Sequence, residues 1–313
     1  MARTRCQGTA IFLELPLRYD IGHDGKLAGY RKMGRGDTPM LQCSGRIGQT
    51  LRNYREERDA LLGGIEGTLR SDPRIAAAWL FGSLGRRDED DLSDLDLWVV
   101  VQDSHIADIV VGRRVETARV MEPLFVVEAP QNAPRDGAYL AACCDAPIAP
   151  HLVDWYWQPA SQASIPRGTR LLFDRVGLPR SPDATPGGAV ITEPISEVEA
   201  ANRSIRFCWM MLMIAAKHAA RSRNAPDMPL LRYALGALND VRLFANVTVV
   251  QEAPTAIASA AGKLAVLRAS AADLDRLLPL AAARGAEVPR GVAAAVERYF
   301  TLAEEAAVSN ILV

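Results

Sequence analysis

The chain has 313 residues, of which 49% are hydrophobic and 23% charged, and its formal net charge is -1. That balance is globular and excludes general disorder; near-neutrality excludes a protein that coats nucleic acid or an anionic membrane through a global positive field. The length suits one large domain or two ordinary ones.

Residues 1–45 read as an N-terminal extension or a small hairpin. Residues 9–19 have strand character, and Gly22, His23, Asp24 and Gly25 make a turn into residues 26–32. Arg3 and Arg5 precede a short apolar patch that Glu14 and Arg18 interrupt, which does not read as a signal peptide.

A first domain is expected over residues 46–180. Leu51, Tyr54, Leu61, Leu62, Ile65 and Leu69 lie on one helical stripe within residues 48–70, ended by Ser71-Asp72-Pro73. Residues 75–81 read as a buried strand leading directly into Gly82-Ser83, and residues 84–93 are polar. Residues 94–101 read as a second strand, 104–120 as a helix and 124–128 as a third strand. Residues 138–144 and 149–157 then form two strands around a turn at 145–147, and residues 169–174 add an edge strand.

Residues 181–192 are rich in Pro and Gly and read as a linker. An all-helical domain over residues 193–313 follows, with helices at 196–221, 229–246, 255–284 and 289–310, the third broken or kinked by Pro279. The expected fold class is α+β: a mixed sheet flanked by helices, then a helical C-terminal domain.

The five cysteines are Cys6, Cys43, Cys143, Cys144 and Cys208, with no CxxC pair. They read as reduced thiols in a cytoplasmic protein, neither a zinc site nor a disulfide framework. The longest apolar run, residues 207–216, is too short to cross a bilayer.

Chemistry concentrates at Phe81-Gly82-Ser83 and, after ten intervening residues, Asp94-Leu95-Asp96-Leu97. Side chains at i and i+2 of a strand share a face, so Asp94 and Asp96 project together while Leu95 and Leu97 point to the buried layer. Two carboxylates so close repel unless a cation lies between them, and oxygen ligands favour Mg²⁺ or Mn²⁺ over zinc. Gly82 permits close approach of a phosphate to the backbone, and Ser83 adds a hydroxyl donor.

At these residues the sequence resembles the DNA polymerase β-like nucleotidyltransferase superfamily. That signature is an apolar residue, Gly, then Gly or Ser, a gap of roughly nine to thirteen residues, and Asp-apolar-Asp/Glu-apolar. Ser93 and Arg86 also look like the bacterial antibiotic-modifying and minimal nucleotidyltransferase branches. The resemblance spans residues 48–177. It implies a nucleotidyltransferase that uses Mg²⁺ (or Mn²⁺) and moves a nucleoside monophosphate, AMP from ATP for preference, to a hydroxyl of a small molecule such as an aminoglycoside-like antibiotic. Asp94, Asp96 and Asp154 would be the catalytic, metal-holding carboxylates, and Gly82, Ser83 and Arg86 would contact ATP or another triphosphate. Asp154 is chosen because a lone Asp inside the apolar strand 149–157 is costly without a partner or ion. Glu128 is the alternative third carboxylate, or else the general base.

Two other readings stand beside this one. A toxin-type nucleotidyltransferase would modify tRNA or a protein, and a basic patch at Arg203, Arg206, Arg221 and Arg223 would favour it. A degenerate relative would bind a nucleotide or partner without turnover.

Plainer roles are expected elsewhere. Residues 88–91 (Asp-Glu-Asp-Asp) read as a solvated loop, His151 as structural, and Trp155 and Trp157 as core. Lys217, Arg221 and Arg223 read as a solvated helix end rather than as phosphate contacts.

Overall fold

A computed structural model describes residues 40–181, 195–221, 228–249, 257 and 259–312, all within one compact unit. The hairpin or extension expected before residue 40 and the linker at 182–192 lie outside the described residues, as does Arg223.

Helix α1 (Met40–Ser71) starts eight residues earlier than the apolar stripe alone indicates. It is followed by β1 (Ile75–Leu80), the short α2 (Gly82–Arg86), β2 (Leu95–Val101), α3 (Ile106–Ala118), β3 (Phe125–Val127), β4 (Ala138–Cys144) and β5 (His151–Pro159). Next come β6 (Ile165–Pro166), β7 (Arg170–Asp174) and β8 (Arg180–Ser181), then α4 (Glu197–Arg221), α5 (Pro229–Phe244), α6 (Ala260–Ala282) and α7 (Val292–Leu312). Helix α6 continues through Pro279 for another turn, so the expected break does not occur. Proline removes a single helical N–H bond, and here its carbonyl still accepts from the Ala283 N–H.

Six strands form one mixed sheet in the order β3-β4-β5-β2-β1-β7, with β2 and β5 parallel and the remaining pairs antiparallel. The β2–β5 register pairs Asp96 with Asp154 directly. Alternation along β5 then sorts the faces. Trp155 and Trp157 enter one core with Leu95, Leu97, Val99 and Ile109 of α3, while Asp154, Tyr156 and Gln158 are half-buried on the other side. The expectation that the two indoles are core holds, and they stack on each other at 5.6 Å.

The C-terminal helices cover the face that bears Asp154. One continuous core joins Leu51 and Tyr54 of α1 and Tyr139, Ala141 and Cys143 of β4 to buried residues of α4 to α7. Helix α4 is the centre of this layer: its Ile205, Cys208, Trp209, Leu212, Met213 and Ala216 are completely buried. Ser259 caps α6 by accepting from the Gly262 N–H, and Pro229 opens α5, where the missing N–H costs nothing. Cys143, Cys144 and Cys208 are free and buried, as the reading of reduced thiols requires. Among the described residues no helix is long and apolar enough to cross a membrane.

Because α4 organises both the helical layer and its contact with the sheet, its core is the sensitive point for stability. Trp209→Ala should cost about 3–5 kcal/mol in guanidinium denaturation. Trp209→Phe should cost much less, because the Trp209 Nε1 donor is buried with no hydrogen-bond partner among the described residues and phenylalanine removes that unsatisfied group.

Candidate functional site

The site grows from the end of β1. Phe81 N–H donates to the Asp96 carbonyl at 3.0 Å, so the chain leaves β1 alongside β2. Gly82 then adopts φ +62°, the left-handed region, and a Cβ there would stand 1.9 Å from Asp96 Oδ2. Glycine is therefore required on two counts: the backbone conformation and the space that the Asp96 carboxylate occupies. Helix α2 begins at once, with Ser83 half-buried at its first turn. Gly85 is similarly hemmed in, since a Cβ would meet the Leu80 carbonyl at 2.7 Å.

Strand β2 begins at Leu95, so Asp94 stands on the last loop residue before the strand and not within it as expected. The loop has a defined shape nonetheless. Asp90 Oδ1 accepts from the Leu92 N–H at 3.1 Å and the Ser93 hydroxyl at 2.9 Å. Arg58 of α1, 3% exposed, donates to the carbonyls of Asp90 and Ser93 at 3.2 and 3.4 Å. Arg221 of α4 grips Asp90 through Nε and a terminal nitrogen at 2.5 and 2.6 Å. Residues 88–90 are exposed, as expected of a solvated loop, and the acids are also paired: Asp88 with Arg86, Asp91 with Arg55 and Asp90 with Arg221. Arg221 and Arg86 reach these partners because the loop lies between α1, α2 and the end of α4.

Three carboxylates converge. Asp96 and Asp154 face each other across the β2–β5 pair, and Asp94 adjoins both closely enough to raise the pKa of each. Burial, then the negative charges of Asp94 and Asp154, push Asp96 well above the usual carboxylate range. Burial, then Asp94, push Asp154 up to about 7, against the hydrogen bond that its Oδ1 accepts from the Tyr139 hydroxyl at 2.9 Å. Burial would raise Asp94 too, but the Lys217 ammonium outweighs it and holds Asp94 below its ordinary value.

Lys217 corrects the sequence reading. It is 5% exposed, and its Nζ donates to Asp94 Oδ2 in a buried ion pair. Its position on α4, beside the β2 entry, makes it part of the site and not a solvated helix end. Tyr299 of α7 is close enough to feel the Asp94 charge, which together with burial raises its pKa strongly.

Glu128 is not brought to this cluster. It pairs with Arg113 and Arg114 of α3 at 2.5 and 2.7 Å, and these cations, overcoming burial, hold its pKa low. Helix α3 packs on the core of Trp155 and Trp157, so Glu128 belongs to the side of the sheet away from Asp154. Arg86 is exposed, and its charge lowers the pKa of Asp96. His151 is structural, stacked on the Tyr54 ring at 4.2 Å and driven down to about 4 by burial and then by Arg58.

Three carboxylates are the hard oxygen donors that Mg²⁺ or Mn²⁺ takes in preference to zinc. Three carboxylates sharing one low-dielectric space are mutually destabilising until a positive charge is placed among them; Lys217 hydrogen-bonds Asp94, and its charge lowers Asp96 and Asp154 without cancelling their upward shifts. Among the described residues no three His, Cys, Asp or Glu side chains already stand in ligating geometry.

Residues 64–135 match the family model described as polymerase beta, nucleotidyltransferase. The matched stretch contains β1, Gly82, Ser83, Arg86, Asp94 and Asp96, whereas Asp154, Tyr139 and Lys217 lie beyond it. No curated protein matches the chain. The mixed six-stranded sheet with flanking and C-terminal helices is an α+β nucleotidyltransferase fold, and the match supports the DNA polymerase β-like superfamily and nucleotidyl transfer in general.

The Asp154 shift has a testable sign. An aspartate in an unfolded chain titrates near 3.9. Between that pH and about 7 the folded protein keeps a proton that the unfolded chain has released, so this group lowers stability as pH rises through the window. Asp154→Asn is neutral throughout. In EDTA, its stability relative to the wild type should therefore increase from pH 5 to pH 8, read from guanidinium midpoints. An unchanged difference would contradict the raised carboxyl.

Proposed function

We propose that the protein is a divalent-metal-dependent nucleotidyltransferase that moves a nucleoside monophosphate, AMP from ATP for preference, to a hydroxyl of a small molecule. The observation that carries this reading is the convergence of Asp94, Asp96 and Asp154 beside a glycine that the Asp96 carboxylate itself forbids to any larger residue.

Asp94, Asp96 and Asp154 would hold Mg²⁺ or Mn²⁺, which supplies charge neutralisation at the triphosphate and at the departing pyrophosphate. The chain's own groups do the rest. Gly82 and the first turn of α2 give the phosphates a close backbone approach, and the Ser83 hydroxyl donates to them. Arg86 adds a cation at the open side. The acceptor oxygen attacks the α-phosphorus, its proton passes to Asp154, and the bond to pyrophosphate breaks. Asp154 takes the proton-accepting role considered for Glu128, since it is on the face of the sheet that carries the cluster and Glu128 is not. Tyr139 orients that carboxylate.

A small acceptor is favoured over tRNA by the state of the arginines. Of the four that would make a basic patch, Arg206 is tied to Glu287 and Arg221 to Asp90. The side of the sheet carrying the cluster is also covered by the chain itself, through Lys217 and α7, which leaves a macromolecule less access. The aminoglycoside-like acceptor remains part of this proposal and rests on the motif resemblance.

Asp96→Asn preserves shape and removes the charge. Loss of several kcal/mol of metal-supplied stabilisation corresponds to a fall of about 10³-fold in turnover. Pyrophosphate release with ATP, Mg²⁺ and a panel of hydroxyl acceptors should show that drop. Turnover within a few-fold of wild type would remove Asp96 from the chemistry.

A further inference from the structure

We propose that Lys217 is an electrostatic latch on the carboxylate cluster. In the nucleotide-free protein its ammonium neutralises Asp94, and it releases that carboxylate to a divalent cation only when a triphosphate arrives to receive the ammonium. The cation therefore binds with the nucleotide and not ahead of it. The inference rests on the metal-dependent reading above and adds an order of binding to it.

The geometry carries the argument. Lys217 is a buried lysine whose Nζ bonds Asp94 Oδ2, across 123 residues of sequence. The backbone on both sides of the pair is fixed. One turn further along α4, Arg221 makes two hydrogen bonds to Asp90, and Arg58 of α1 holds the carbonyls of Asp90 and Ser93 from the other side. The loop and the helix are thus clamped together, and the lysine cannot be withdrawn by sliding α4 without breaking those bonds. It must exchange partners in place.

A free divalent cation offers no exchange. It would bring two positive charges against an ammonium already among the carboxylates, and capture of Asp94 would take from the buried Lys217 its hydrogen-bonded carboxylate, which is strongly unfavourable. A triphosphate reverses this balance. Its oxygens accept charge-assisted hydrogen bonds from the ammonium while the cation takes Asp94. Gly82 lies against the Asp96 carboxylate and Lys217 reaches Asp94 two residues before it, so phosphates held at Gly82, as the proposed function has them, would come within reach of the ammonium. By linkage, the cation and the nucleotide each raise the other's affinity by the same factor.

The test is a MnCl₂ titration of the full chain by water proton relaxation enhancement, which reports protein-bound Mn²⁺. It is run with wild type, Lys217→Met and Lys217→Gln, with and without non-hydrolysable analogues of the four ribonucleoside triphosphates. Folding is checked by guanidinium midpoints. The wild type should bind Mn²⁺ weakly alone and strongly with an analogue. The variants should bind Mn²⁺ alone at least about tenfold more tightly than the wild type. Equal affinity of wild type and variants for Mn²⁺ alone, or wild-type affinity that no analogue changes, would overturn the latch and leave the transferase site standing. Absence of bound Mn²⁺ in every folded protein, analogue present or not, would overturn the metal-dependent reading and the latch with it.

Discussion

Three aspartates and one lysine share a space largely removed from water, and most of the architecture answers to that imbalance of charge. Like charges in a low dielectric cannot all be ionised without help. The protein meets the problem in three ways: Lys217 neutralises Asp94, Tyr139 hydrogen-bonds Asp154, and Asp96 and Asp154 gain proton affinity. Each solution is provisional in the sense that a bound cation would replace it.

The scaffold explains how such a cluster stays assembled. Asp96 and Asp154 are fixed by the register of two parallel strands in the middle of the sheet, where both faces are covered and slippage would turn Trp155 and Trp157 out of their core. Asp94 depends on a loop, and that loop is immobilised by arginines from α1 and α4 acting on its carbonyls and on Asp90. Helix α4 thereby connects the C-terminal layer to the chemistry. Its apolar face packs against α5, α6 and α7, and its last turns carry Lys217 and Arg221 to the site.

Local patterns in the chain were legible. Strand β4 runs from Ala138 to Cys144 as its apolar run indicates, and the α+β class followed from strands giving way to Ala- and Leu-rich helices. Gly82 and Asp96 could be paired from their spacing because the turn between β1 and β2 brings them together over a short stretch. Asp154 was accessible for a different reason: an isolated carboxylate in an apolar strand needs a partner. The misreadings share a cause. Lys217 looked like an ordinary surface charge, and the pairing of the exposed Asp90 with Arg221 was hidden, because the partners lie over a hundred residues away. Glu128 follows a strand, and the arginines on α3 that claim it become its neighbours only in the folded sheet. Pairing across the fold decides the role of a charged side chain, and periodicity does not report it.

The central claim is that the aspartate cluster binds a metal–triphosphate complex. Calorimetric titration of the wild type and of the Asp94→Ala/Asp96→Ala double variant with ATP, GTP, CTP and UTP, each with Mg²⁺ and with EDTA, tests it most directly. The wild type should bind at least one of the four in Mg²⁺, and the double substitution in a folded protein, or EDTA, should abolish the heat. Equal binding by wild type and double variant, or no binding by a folded wild type to any of the four in Mg²⁺, would contradict it.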